Sequence, residues 1–194
     1  GIGEVGSLNE KISNGELIDL IMISEALHEK KIAQISDMIS DKKEIKAVFV
    51  SGPSSSGKTT FAHRLAIQLK VNGLSPIPIS LDNYFVNREE TPRDEDGEYD
   101  FESVKSIDVK FFKNQMEELF EGKEVEIPIF NFLTGYREKL GNKVKMPKNG
   151  ILIIEGIHGL NPILTSSLDE NNIFKIYISA LTQLNLDNHN RIST

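Results

Sequence analysis

The chain has 194 residues, 39% of them hydrophobic and 26% charged, with a formal net charge of −7. That length supports one well-filled domain rather than two large ones, and the acidic balance argues against a broad electrostatic grip on nucleic acid. No apolar run approaches the roughly 20 residues that span a bilayer, and the absence of cysteine excludes disulfides and thiolate metal sites.

The chain starts at Gly1 without an initiator methionine and shows no signal peptide. It therefore reads as a fragment of a longer, cytoplasmic protein. Residues 1–12 are glycine-rich and read as a loose lead-in. Ser13-Asn14-Gly15-Glu16 has capping-box spacing, and Leu17, Ile21, Ile32, Ile35 and Ile39 recur behind it at helical intervals. This predicts one long amphipathic helix over 15–40. Residues 1–44 are thus a lead-in and linker helix, and 45–194 are the main domain. Ala47-Val48-Phe49-Val50 is an uninterrupted apolar run, the pattern of a strand buried on both faces. Phe61, Leu65 and Leu69 stripe a following helix, and Ile77–Ser80 predicts a second strand. The acid-rich run over 88–103 reads as a long loop. Val109, Phe112, Met116 and Leu119 mark another helix, in which Phe111, Phe112 and Phe120 are core candidates. The 122–147 segment predicts an insertion with a short hairpin. Ile151–Ile154 is a third buried strand, and Phe174, Ile176 and Ile178 alternate in a fourth. Strands alternating with helices predict an α/β domain built on a parallel sheet.

Between the first strand and its helix lies Gly52-Pro53-Ser54-Ser55-Ser56-Gly57-Lys58-Thr59, followed by Thr60. It fits G-x-x-x-x-G-K-[ST] at every fixed position. Glycines let successive backbone N–H groups curl around phosphate oxygens, and the helix start adds its positive dipole end. Lys58 can reach the β and γ phosphates, and the Thr59 hydroxyl can ligate Mg²⁺. The bland alternative is a serine-rich turn, but a chance match in a chain this long has odds on the order of one in a hundred. The expected cofactors are ATP and Mg²⁺.

Phosphate loops serve kinases, GTPases and ATPases alike. Asn142-Lys143-Val144-Lys145 begins like a guanine-reading motif but lacks its aspartate, which argues against a GTPase. Asp82 and Glu155 instead follow strands, where ligands of open parallel sheets bind. Phosphoryl transfer needs positioning, Mg²⁺ and a group that accepts the attacking hydroxyl's proton. Asp82 suits proton acceptance, and Glu155 suits a magnesium-bound water. His28 and His63 read as helix-surface residues, and the role of His158 stays open.

Four further runs follow the phosphate loop in order: Ser80-Leu81-Asp82-Asn83-Tyr84-Phe85, Tyr99-Asp100-Phe101-Glu102, Pro128-Ile129-Phe130-Asn131-Phe132 and Ile154-Glu155-Gly156-Ile157-His158. That succession, from residue 46 to about 180, resembles the uridine kinase and phosphoribulokinase family of P-loop kinases. The resemblance implies a P-loop parallel sheet flanked by helices, and ATP-dependent phosphorylation of a hydroxyl on a nucleoside or another sugar or polyol. By it, Asp82 matches the catalytic aspartate. Tyr84, Phe85, Phe101 and Glu102 match the run that packs on or binds the nucleoside. Phe130 and Phe132 match base-pocket aromatics, and Arg137 matches a nearby arginine. Glu102 stands where aspartate is usual, Phe130 where tyrosine is, Asn131 where aspartate is, and Gly135 where a base-contacting histidine is expected. The acidic loop falls at the family's substrate flap. Ser24–Glu29 resembles the linker of bacterial uridine-kinase-like proteins, which joins a domain similar to the N-terminal part of threonyl-tRNA synthetase. The family's arginine-rich lid would follow residue 194. The implied partner is a small-molecule acceptor, neither nucleic acid nor membrane, with self-association open. A nucleotide-binding regulatory module with little turnover is the rival from another class.

Overall fold

Four strands that the sequence marks as apolar lie side by side and parallel in the computed structural model, which describes residues 2–138, 141–166, 168–179, 184–187 and 190. They are β1 (Ala47–Ser51), β2 (Ser75–Ser80), β7 (Gly150–Glu155) and β8 (Ile173–Tyr177), in the order β2-β7-β1-β8. All five residues of β1 are buried, because helices cover both faces of the sheet. Alternation sorts its side chains. Val48 and Val50 join Ile151 and Ile153 against α3 (Lys58–Val71), through Phe61, Leu65 and Leu69. Ala47 and Phe49 join Leu152 and Ile154 on the opposite face, against Phe112, Met116 and Leu119 of α4 (Val109–Phe120). Phe112 is core, as expected, and Phe111 and Phe120 pack half-buried against it. The short helix α5 (Pro162–Thr165) follows β7.

Two N-terminal expectations are corrected. The lead-in holds a helix, α1 (Val5–Ser13), and the long helix α2 starts only at Leu17 and ends at Ser40. The predicted capping box does not form. Ser13 ends α1, Gly15 turns the chain at φ +79°, and Glu16 precedes α2 without a side-chain cap. The Glu16 carboxylate instead takes the Lys11 ammonium at 2.5 Å. Only the second half of α2 is seated, through Ile32, Ser36 and Ile39. Glu29 receives Arg64 Nε at 2.9 Å and Gln68 Nε2 at 2.7 Å from α3. Leu17 and Ile21, counted in the predicted stripe, are exposed.

The insertion is the predicted hairpin, extended into two antiparallel ladders. Its outer ladder pairs β3 (Glu124–Glu126) with β6 (Lys143–Lys145), and its inner one pairs β4 (Ile129–Asn131) with β5 (Tyr136–Glu138). The segment over 88–103 is largely irregular, with one short helical turn at Arg88–Glu90 and an Arg93–Tyr99 bridge. No helix among the described residues is long and apolar enough to cross a membrane. The end of the predicted kinase domain, residues 191–194, lies outside the described residues.

Candidate active site

The parallel register brings three strand ends level. Val50 of β1 and Ser80 of β2 both pair with Glu155 at the end of β7. Chain segments leaving these ends must therefore meet in one cleft. After β1 comes the phosphate loop. Gly52 sits where no side chain fits, since a Cβ there would lie 2.1 Å from the Ile178 carbonyl oxygen. Ser55 and Gly57 take positive φ, 58° and 87°, which curls the loop into the concave nest that binds anions. No side chain caps α3, so its first-turn N–H groups have no intrahelical partner and suit an anion. Lys58 folds back and donates to the Pro53 carbonyl oxygen at 2.8 Å. The Ser56 hydroxyl is buried and finds no partner. An orphaned donor inside a ready-made cradle fits a phosphate that is bound in use.

Thr59 Oγ1 donates to Glu155 Oε2 at 3.2 Å, so a helix start and a strand end present two hard oxygen ligands together. Among the described residues no group of three or more His, Cys, Asp or Glu could hold a metal ion. One hydroxyl, one carboxylate and otherwise water and phosphate oxygens is the set Mg²⁺ accepts. These residues fit the ion. A cavity of about 240 Å³ lies beside them, lined by Thr59, His63, Ser80, Asn83 and Glu155 among others. His63, read from sequence as a plain surface residue, is exposed but on this wall.

Asp82 is the second residue of the short helical turn Leu81–Tyr84 after β2, and its N–H is accepted by Ser80 Oγ at 3.4 Å. Gly156 lies directly against Leu81, which brings the Glu155 turn to the side of Asp82. Although Asp82 is exposed as a residue, its carboxyl is held above the usual range, first by withdrawal from bulk water and then by the charge of Glu155. Lys58 and His158 pull it the other way. A carboxyl raised in a cleft is suited to accept a proton.

The aromatic residues form a wall beyond Asp82. The Phe85 ring lies 5.8 Å from Phe101, 5.5 Å from Phe130 and 5.9 Å from Phe132, each edge to face. Phe85 and Phe130 are buried, whereas Phe132 is 57% exposed. Asn83, unassigned in the sequence reading, fixes the wall to the strand end by accepting from Phe130 N at 3.3 Å. Glu102 is exposed next to Phe101, with its N–H on Asp100 Oδ1.

Two sequence assignments change. Tyr84 does not face the cleft. It is fully buried, its hydroxyl donates to Gln115 Oε1 at 2.9 Å, and its ring meets Phe112 edge-on. Arg137 holds the backbone behind Phe85 and lines a separate cavity of about 360 Å³ with Phe111, Gln115 and Pro128, its buried Nε without a partner among the described residues. Its guanidinium pairs with Asp108 at 3.2 Å, donates to the Phe85 carbonyl oxygen at 3.0 Å and lies over Phe111. Tyr84→Phe is therefore expected to lower stability by about 1 kcal/mol, a typical buried hydrogen bond, without changing kcat. Denaturant melts beside steady-state rates would show this, and a loss of rate at unchanged stability would return Tyr84 to the substrate site.

With the geometry in place, comparison with known proteins decides the family. The phosphoribulokinase / uridine kinase family profile matches residues 47–192. The chain belongs to that family. It is 33% identical over 161 residues to the inorganic pyrophosphatase TTM2 of Arabidopsis thaliana, covering 78% of this chain and 22% of that one. It is 29% identical over 134 residues to a uridine kinase of Schizosaccharomyces pombe, covering 68% and 29%. The chain thus spans less than a third of the length of these two curated relatives. A possible uridine kinase from Bacillus stearothermophilus shares the fold at a TM-score of 0.57 and 23% identity, covering 71% of this chain and 72% of that one.

Proposed function

We propose that this domain transfers the γ-phosphoryl group of ATP to a hydroxyl of a small molecule, most of all a nucleoside. The observation that carries this is the meeting of Lys58, Thr59, Glu155 and Asp82 at three adjacent parallel strand ends. Bound ATP, with Mg²⁺, supplies the phosphoryl group. The chain's own residues do the rest. The loop amides and Lys58 hold the phosphates, Thr59 and Glu155 hold the ion, and the aromatic wall orients the acceptor. Asp82 takes the proton of its hydroxyl, and positioning and electrostatics then account for the catalysis. The homologues named uridine kinase support a nucleoside acceptor. The altered wall, with Phe130 and Gly135, supports a second reading in which the acceptor is another sugar or polyol.

The test is ADP formation over a panel of nucleosides and sugar phosphates. Turnover with no acceptor in the panel above the ATP-only rate would favour the regulatory-module reading. Uridine is expected to be a poor acceptor. A histidine placed at 135 is not expected to improve it, because Gly135 adopts φ +79° and a Cβ there would lie 2.5 Å from Arg88 Nε. Gly135→His should instead lower Tm. A uridine KM improved by that change at unaltered Tm would contradict the geometry.

A further inference from the structure

The volume over Gly135 is not empty. A side chain projecting from residue 135 would run into Arg88, at 2.5 Å from Nε and 2.9 Å from both Cβ and Cζ. Arg88 is fixed in that place from both of its ends. Its backbone N–H donates to the Gly135 carbonyl oxygen at 2.9 Å, and its NH2 group donates to the Phe132 carbonyl oxygen at 3.1 Å. Phe132 is the exposed member of the aromatic wall, 5.1 Å from the Phe130 ring. The guanidinium is thus tied to the backbone of the residue whose ring is the exposed end of the aromatic wall.

Its charge is felt by its neighbours Glu89 and Tyr136. Arg88 stands at the head of an acid-rich run, yet no salt bridge among the described residues includes it. Glu89 beside it is engaged by the Tyr136 hydroxyl. Guanidinium carries five N–H donors in a planar fork and no acceptor, and Phe132 takes one of them.

From this geometry, and resting on the kinase reading above, we infer that Arg88 is a specificity-determining residue. It reads an acceptor molecule that presents two adjacent hydrogen-bond acceptors. The fork matches two neighbouring acceptor atoms bidentately, and a donor between them is repelled. The N3/O2 edge of cytosine satisfies this, and so do two oxygens of a carboxylate or phosphate. Uracil places the N3–H donor between its two carbonyls and does not. The same arginine therefore explains how a wall without a histidine at 135 can still select its ligand. It also disfavours uridine for a stated reason.

The experiment is calorimetric titration of the protein, and of its Arg88→Gln and Arg88→Lys variants, with cytidine, uridine and ribose 5-phosphate. Thermal melts of each variant check folding. Cytidine or ribose 5-phosphate should bind more tightly than uridine, and Arg88→Gln should weaken the better ligand by about 5- to 150-fold, the worth of one bidentate pair. Arg88→Lys keeps the charge and loses the fork. It should restore most of the binding if the ligand is the phosphate and little if it is cytidine. ADP formation in the same samples separates the two claims, since binding that depends on Arg88 without turnover would fail the kinase reading alone. Equal weakening of all three ligands, unchanged binding in both variants, or binding of none to the unmodified protein would overturn the role of Arg88.

Discussion

Lys58→Ala is expected to abolish measurable phosphoryl transfer and to weaken ATP binding while leaving the fold intact. Lys58 begins α3, and its ammonium bends back to the Pro53 carbonyl oxygen of the same loop at 2.8 Å. No salt bridge among the described residues includes it, so the proposed phosphate contact can be removed without breaking an ion pair of the fold. A preorganised donor aimed at a developing oxyanion contributes about 10²- to 10³-fold to kcat, and loss of a charged phosphate contact adds to that in binding. Stability should not suffer. A cation at a helix N-terminus opposes the macrodipole, so alanine there is neutral or mildly stabilising. ATP titration, ADP formation and a thermal melt on the same preparation form the test. Undiminished turnover would remove the phosphate-loop assignment, and a collapsed melt would show that Lys58 holds the fold.

Much of this site was legible because the chemistry is local. Gly52, Gly57, Lys58 and Thr59 lie within eight residues, and the strand before them reads as buried because all of β1 is apolar up to Ser51. Glu155 was legible for the same reason, at the end of an apolar run. What escaped the sequence depends on partners far along the chain. Tyr84 looks like its neighbour Phe85 until Gln115, thirty-one residues on, is seen to accept its hydroxyl. Arg137 reads as a ligand-facing cation, and nothing in the sequence shows that Asp108 and the Phe85 carbonyl oxygen hold its guanidinium. Arg88 was hidden in a segment dominated by acids, and its place over Gly135 appears only where that segment meets the hairpin. The helix α1 was passed over although Val5, Leu8 and Ile12 recur in it at helical intervals; the stripe is short, lies among glycines and buries no residue. The false capping box had the right spacing, but Ser13 was already the last residue of the preceding helix.

Asp82→Asn is expected to lower kcat by roughly 10²- to 10⁴-fold, the usual contribution of a positioned general base, or about 3 to 5 kcal/mol of barrier. Asparagine keeps the shape and can still hydrogen-bond the acceptor hydroxyl, but it cannot take its proton. ATP affinity should change little if, as proposed, the loop amides and Lys58 hold the phosphates. Stability moves in the opposite sense to activity. The carboxyl is raised by withdrawal from water and by Glu155, so the folded chain binds this proton more readily than the unfolded chain does. Its ionisation therefore costs stability as pH rises above the unfolded value, and that cost is absent at lower pH. Removing the charge should leave Tm at neutral pH unchanged or slightly higher. Less activity at equal or greater stability is the signature of a group held in place for function against its own electrostatic preference. A variant with normal turnover would exclude Asp82 as the base. A variant whose only defect is a weaker Mg²⁺ dependence would move Asp82 into the metal site beside Glu155, and the proton would need another acceptor.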